Sequence, residues 1–243
     1  MLNIQPVEKQ NLSNPNLLNV HSIFLTIQGE AIFAGYRAVF IRLAGCNLQC
    51  PNCDTDYTST VTQLSPSEIT SIVDNLWNPN PETSAKGVPL VVITGGEPFR
   101  QNLSKLIPEL QNRGFTVQIE TNGTLFQENI FHNPEILNRM LKVVCSPKTG
   151  NVNPKLVPFI DAYKYVVRDN NICKDGLPVD ALAHPVNPWV FRPPLGRNAK
   201  IYVQPEDSKD PEINAANVQA AVKSSLEHGY ILCLQLHKLV NLD

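Results

Sequence analysis

Charge is scarce in this chain. Asp, Glu, Lys and Arg make up 17% of its 243 residues, against about 25% in an average domain. With 42% hydrophobic residues beside it, so little charge excludes a disordered chain. The charge is also balanced: a net value of -2 lacks the basic excess of a nucleic-acid or anionic-membrane binder. Long apolar runs are missing, and none approaches the roughly 18 residues of a membrane span. The opening MLNIQPVEKQNLSNPN has no apolar leader centre, so a cytoplasmic protein is expected. No internal repeat or low-complexity segment is present. The length fits one domain, large enough to bury its core without disulfides or a structural metal.

Cysteine is sparse but crowded. Of Cys46, Cys50, Cys53, Cys145, Cys173 and Cys233, three fall within eight residues. Thiols crowded in a reducing compartment point to metal or redox chemistry rather than to disulfides. Cys145 and Cys233 lie in the apolar runs VVC and ILCL and read as small core residues. Cys173 has no assigned role. Structural zinc normally takes four ligands as two separated pairs, and no second C-x-x-C or His pair follows Cys53. C-x3-C-x2-C fits better with a [4Fe-4S] cluster whose fourth iron stays open. A zinc-stabilised binding module is the non-enzymatic alternative.

Elsewhere the pattern alternates strand and helix. Strands are predicted at 22–28, 38–43, 88–94, 115–121, 142–146, 161–167, 201–204 and 230–236. Helices are predicted after Ser65-Pro66, where Glu68 completes a capping box, around Leu103–Leu110, from Asn133-Pro134-Glu135 and over Pro211 to about Glu227. Pro108 implies a bend in the second helix. Residues 168–199 hold five prolines and read as one long loop. The succession gives an α/β fold with a parallel sheet under helices, and about six such strands suggest a partial (β/α)6-type barrel. Chemistry in that architecture gathers at the C-terminal strand ends. Those ends carry Gly45 to Asp56, Gly95-Gly96-Glu97-Pro98, Thr121-Asn122-Gly123, Ser146-Pro147-Lys148 and Gln204-Pro205. Arg42 faces away from Val39, Ile41 and Leu43 on its strand. The remaining histidines, His21, His132, His184 and His228, have no ligand spacing and are expected to be solvated.

The cysteine loop followed by Gly-Gly-Glu-Pro resembles the radical S-adenosylmethionine enzymes. The fuller set, Ile27 to Glu30, Arg42 to Leu48, Cys53-Asp54-Thr55-Asp56, Thr94 to Pro98, Glu120 to Gly123, Ser146 to Lys148, Gln204-Pro205 and His237-Lys238, closely resembles the 7-carboxy-7-deazaguanine synthase family. The resemblance covers about residues 20–167 and 200–243. It leaves residues 1–20 as an N-terminal extension to a single domain, 21–243, with a proline-rich insertion at about 168–199.

The resemblance implies ring contraction of 6-carboxy-5,6,7,8-tetrahydropterin to 7-carboxy-7-deazaguanine with loss of ammonia, a step toward queuosine and other 7-deazapurines. It implies a [4Fe-4S] cluster on Cys46, Cys50 and Cys53, and S-adenosylmethionine on Asn52, Cys53, Asp54, Gly96, Ser146, Pro147, Lys148, Gln204, Pro205, Glu206 and Asp207. Mg2+ would sit on Thr55. The pterin would meet Ile27, Gln28, Gly29, Arg42, Thr94, Glu120, His237 and the terminal carboxylate of Asp243. A homodimer and a flavodoxin or ferredoxin reductant are implied, with no nucleic-acid or membrane partner. A glycyl-radical activating enzyme would keep the cluster and S-adenosylmethionine but would need no magnesium threonine.

Overall fold

A computed structural model of the chain describes residues 3–78, 87–134, 136, 140–196 and 199–242. The chain runs through β1 (Leu18–Ile27), β2 (Arg37–Leu43), β3 (Thr62–Leu64), α1 (Pro66–Trp77), β4 (Leu90–Gly95), α2 (Leu106–Asn112) and β5 (Thr116–Thr121). It continues through α3 (Glu128–Phe131), β6 (Leu141–Cys145), β7 (Ala162–Val167), β8 (Lys200–Pro205), α4 (Pro211–His228), β9 (Ile231–Leu232) and α5 (Leu236–Leu239). All strands join one open sheet in the order β3-β1-β2-β4-β5-β6-β7-β8-β9.

From β2 onward, neighbours in the sheet pair in parallel. The expected parallel sheet needs one correction: β1 and β3 are antiparallel to their neighbours. A short connection, residues 28–36, returns the chain beside β1, which forces a hairpin-like pairing; a parallel pair needs a long crossover. Ile27 therefore lies opposite Arg37, at the start of β2.

Alternation along the strands separates two faces. Val39, Ile41, Leu43, Val91, Ile93, Val117, Ile119, Val143, Tyr163, Tyr165 and Val203 share the main core, with α1, α2 and α4 packed over the same sheet. The intervening residues face the concave side. The apolar interior of the barrel is confined to small groups, Ala38 with Leu90 and Val92, and Ala31 with Val144, Ala162, Tyr202 and Cys233.

Local signals explain most helix ends. Ser65 and Glu68 form the expected capping box. Pro108 causes no interior break, because it is the third residue of α2, where the missing N–H has no intrahelical partner to lose. The short helix expected from Asn133 falls partly outside the described residues; α3 lies just before it. The strand expected at 230–236 is only two residues long. Its continuation is pulled off the sheet edge, where the Leu236 amide donates to the Gly29 carbonyl at 3.2 Å.

Asp210 caps α4 by accepting from the amides of Glu212 at 2.9 Å and Ile213 at 3.1 Å. Asp210→Ala is expected to cost about 1 kcal/mol in denaturant unfolding.

Candidate active site

The concave face encloses a cavity of about 340 Å³. Its lining brings together Ile27, Gln28, Arg42, Cys46, Cys50, Asn52, Cys53, Asp54, Thr55, Thr94, Gly96, Glu120, Ser146, Lys148, Gln204, Pro205, Glu206, Asp207 and His237. Of the residues singled out in the sequence, Gly29 and Pro147 stand outside that lining, and Asp243 lies outside the described residues.

The cysteine loop leaves β2 and is fixed to the end of β4 by backbone contact. The Gly96 amide donates to the Leu43 carbonyl at 3.2 Å and the Glu97 amide to the Gly45 carbonyl at 3.0 Å. A Cβ on Gly96 would stand 2.0 Å from the Gly45 oxygen, and one on Gly95 would stand 2.1 Å from the Leu43 oxygen. Gly95 also has φ +132, a conformation that side chains rarely adopt. The glycine pair thus first serves the contact between strand end and cysteine loop.

Glu97 is fully buried. Its carboxylate accepts from Thr121 Oγ1 at 2.7 Å, the Asn122 amide at 2.8 Å and the Phe99 amide at 3.0 Å. Burial still pushes its pKa up to about 7. Burial likewise raises the Cys46 thiol to about 12 and the Cys50 thiol to about 11, and it raises Cys53.

A second polar layer lies deeper. The Lys164 ammonium is buried and pairs with Glu30 and, at 3.3 Å, with Glu120. Glu30 Oε1 also accepts from Gln235 at 2.9 Å and Gln204 at 3.2 Å. Glu120 Oε1 accepts from Gln28 at 2.8 Å and Gln118 at 3.0 Å. Burial works to raise the Glu30 carboxyl, but the Lys164 charge and hydrogen bond and the Gln235 donor hold it well below the usual carboxylate range. Burial opposes the Lys164 charge, yet Glu120 and Glu30 raise its pKa. Gln204 is committed to this layer, since its carbonyl accepts the Cys233 thiol at 3.5 Å.

Arg42 and Thr94 are register partners on β2 and β4. The Arg42 guanidinium stands 5.6 Å from the Phe24 ring centroid. Its Nε is buried and has no hydrogen-bond partner among the described residues. Near the mouth, Lys148 Nζ donates to Ser146 Oγ at 2.6 Å, and burial lowers its pKa. Asn52 donates to Glu206 at 3.1 Å. Lys238 pairs with Asp207 at 2.7 Å and Asp54 at 3.4 Å, which draws α5 across the opening. Asp207 is lowered chiefly by that Lys238 bond. His237 lies against Gly29, where a Cβ would meet its Nδ1 at 2.1 Å; burial lowers the imidazole pKa.

Residues 40–150 match the model of the Radical SAM superfamily. A 7-carboxy-7-deazaguanine synthase of Rhodospirillum rubrum is 39% identical over 230 residues, covering 92% of each chain. That of Rickettsia prowazekii is 38% identical over 235 residues, covering 93% of this chain and 89% of its own. This chain belongs to the 7-carboxy-7-deazaguanine synthase family. A crystal structure of QueE from Escherichia coli has the same fold, with a TM-score of 0.64 at 21% identity, covering 90% of this chain and 94% of that one.

The residues fit the groups that the radical S-adenosylmethionine fold uses. Cys46, Cys50 and Cys53 are free and all line one cavity, as soft donors to an iron–sulfur cluster must. Among the described residues no three His, Cys, Asp or Glu side chains converge as one metal ion requires. As ligands to a cluster rather than to one metal ion, the three cysteines would need only to share the cavity. Thr55 offers a hard hydroxyl oxygen there, with Asp54 Oδ1 3.4 Å away, which suits Mg2+.

Sequence reasoning in this synthase missed Lys164 and Gln235, and it gave Glu30 no role. Lys164 was within reach: in AYKYVV it alternates with Tyr163 and Tyr165, so it faces the cavity as Glu120 does. Leu182 also lines the cavity, and its carbonyl accepts from the Asn52 amide at 3.1 Å; the long loop carrying it has no periodicity to read.

Gly96→Ala is expected to displace the cysteine loop. Iron and sulfide per chain after anaerobic reconstitution should fall severalfold, whereas Gly114→Ala, where an added Cβ meets nothing within 4 Å but φ is +85, should lose stability yet keep its cluster.

Proposed function

We infer that this chain converts 6-carboxy-5,6,7,8-tetrahydropterin to 7-carboxy-7-deazaguanine with loss of ammonia, in 7-deazapurine biosynthesis. The observation carrying this reading is that three thiols and the arginine Arg42 line the same cavity. A planar guanidinium matches a carboxylate, and this substrate carries one.

Cys46, Cys50 and Cys53 hold the [4Fe-4S] cluster. When bound, the cluster and S-adenosylmethionine supply the one-electron chemistry that takes hydrogen from the substrate. The chain's own residues bind, orient and exclude water. Asn52, Asp54, Gly96, Ser146, Lys148, Pro205, Glu206 and Asp207 surround S-adenosylmethionine at the strand ends. Gln204 and Pro147 support that group from behind: the first is bonded to Glu30 and the second is buried. Thr55 gives Mg2+ an oxygen. Arg42 and Thr94 receive the pterin from one side, and Gln28, Glu120 and His237 from the other. Gly29 keeps space for His237, and Ile27 covers the edge.

The finer partners follow the same reading. A single-electron donor of the flavodoxin or ferredoxin class serves the cluster, in the cytoplasm, without nucleic-acid or membrane partners. None of the helices among the described residues is long and apolar enough to cross a membrane. A homodimer is supported by exposed Ile231, Leu232, Leu239, Val240 and Leu242 near one sheet edge.

The test is anaerobic incubation of reconstituted protein with S-adenosylmethionine, reductant, Mg2+ and the carboxypterin, followed by mass spectrometry. Product lacking the elements of ammonia is expected; cleavage of S-adenosylmethionine with no loss of carboxypterin would contradict the reading. Arg42→Ala is expected to raise KM for the carboxypterin about tenfold or more, since a charged hydrogen bond is worth roughly 1.5–3 kcal/mol. KM for S-adenosylmethionine should stay unchanged.

A further inference from the structure

Residues 3–12, which the sequence reading left in an extension, run along the cysteine loop. Val7 forms a parallel bridge with Cys46 and Asn11 one with Gln101. The Glu8 amide donates to the Cys46 carbonyl at 2.7 Å and the Asn3 amide to the Pro51 carbonyl at 3.0 Å. Asn3 Nδ2 donates to the Cys50 carbonyl at 3.1 Å.

Gln5 is the most heavily used residue of the segment. Its Nε2 donates to the Thr55 carbonyl at 2.9 Å. Its Oε1 accepts from the Tyr57 amide at 2.8 Å and from Thr58 Oγ1 at 3.1 Å. Its own carbonyl accepts from Gln49 Nε2 at 2.7 Å. Glu8 then pairs with buried Arg100 at 2.8 Å, and Arg100 donates to the Ala44 carbonyl at 2.9 Å. Further along, Gln10 Nε2 donates to the Phe99 carbonyl at 2.8 Å.

These contacts are of one kind. The apolar residues of the segment are outside the core: Ile4 is 87% exposed and Val7 59%. Apolar burial is the usual reason for a terminal segment to dock, so it does not account for this one. The polar contacts reach the carbonyls of Cys46 and Cys50 directly and, past Cys53, the Thr55 carbonyl and the Tyr57 amide. That loop, residues 44–61, has no helix or strand of its own to hold it. Backbone groups there must find partners outside regular structure.

We propose that residues 3–11 form a strap that sets the shape of the cysteine loop and so governs how firmly it retains its cluster, with Gln5 as the positioning residue. The proposal rests on the cluster reading above. It makes the strap part of the site's support, so that truncation at the N-terminus acts on the cluster before it acts on the fold.

The test uses full-length holoprotein, a form lacking residues 1–11, Gln5→Ala and, as a control, Lys9→Ala, whose side chain is exposed. Three quantities are read: the rate of cluster bleaching by EDTA under anaerobic conditions, amide hydrogen exchange over residues 46–57, and the thermal midpoint of the metal-free protein. Loss of several hydrogen bonds to the loop is expected to speed bleaching about fivefold or more in Gln5→Ala, and further in the truncated form. Exchange over 46–57 should rise in both, with the metal-free midpoint of Gln5→Ala lowered only slightly and all properties of Lys9→Ala unchanged. Unchanged bleaching and exchange in Gln5→Ala would overturn the proposal, as would a lowered metal-free midpoint with bleaching unaltered. A full-length protein that takes up no iron and sulfide would instead remove the cluster reading itself.

Discussion

Lys164 sits under the cavity with Glu30 and Glu120 as its partners, and the deeper half of the site depends on that pairing. Removing ions from water costs several kcal/mol each unless charge and hydrogen bonds are returned. Here one ammonium faces two carboxylates, which leaves one negative charge, and Gln28, Gln118, Gln204 and Gln235 donate to the carboxylates. The layer therefore ties β5, β7 and β8 to both chain segments outside the parallel sheet, the turn after β1 and the run into α5. His237 reaches the cavity because this anchoring brings its segment back against Gly29.

The upper half is organised by close backbone approach. Gly95 and Gly96 let the end of β4 touch Leu43 and Gly45, and Glu97 then ties the same turn to Thr121 and Asn122. A hydrogen-bonded strap on the outside and a glycine contact on the inside grip the cysteine loop from two directions. Arg42, between the halves, lines the cavity, where a guanidinium can meet an anionic ligand.

Much of the upper half was legible in the sequence. C-x3-C-x2-C and the glycine pair are local patterns, and the alternation in AVFIRL placed Arg42 away from the outer core. The deeper half was less legible because β7 is buried on both faces, which flattens the hydrophobic period. Lys164 was the single departure from an apolar run. The antiparallel β1 was legible in the connection and not in any side-chain period, since residues 29–37 between the two expected strands are too few for a parallel crossover. YILCLQL reads as a strand over its whole length, yet after Leu232 tertiary bonds to Gly29 and Glu30 divert it. The first residues carried no apolar pattern at all, since they dock through polar contacts.

If the buried layer is the constraint on which the site is built, its members must be energetically coupled. A double-mutant cycle of Lys164→Met and Glu30→Gln, read by denaturant unfolding, measures this directly. A coupling energy above about 1.5 kcal/mol is expected, within the range for residues that share one network. Single effects that add to within roughly 0.5 kcal/mol would contradict it and make Lys164 an incidental buried lysine.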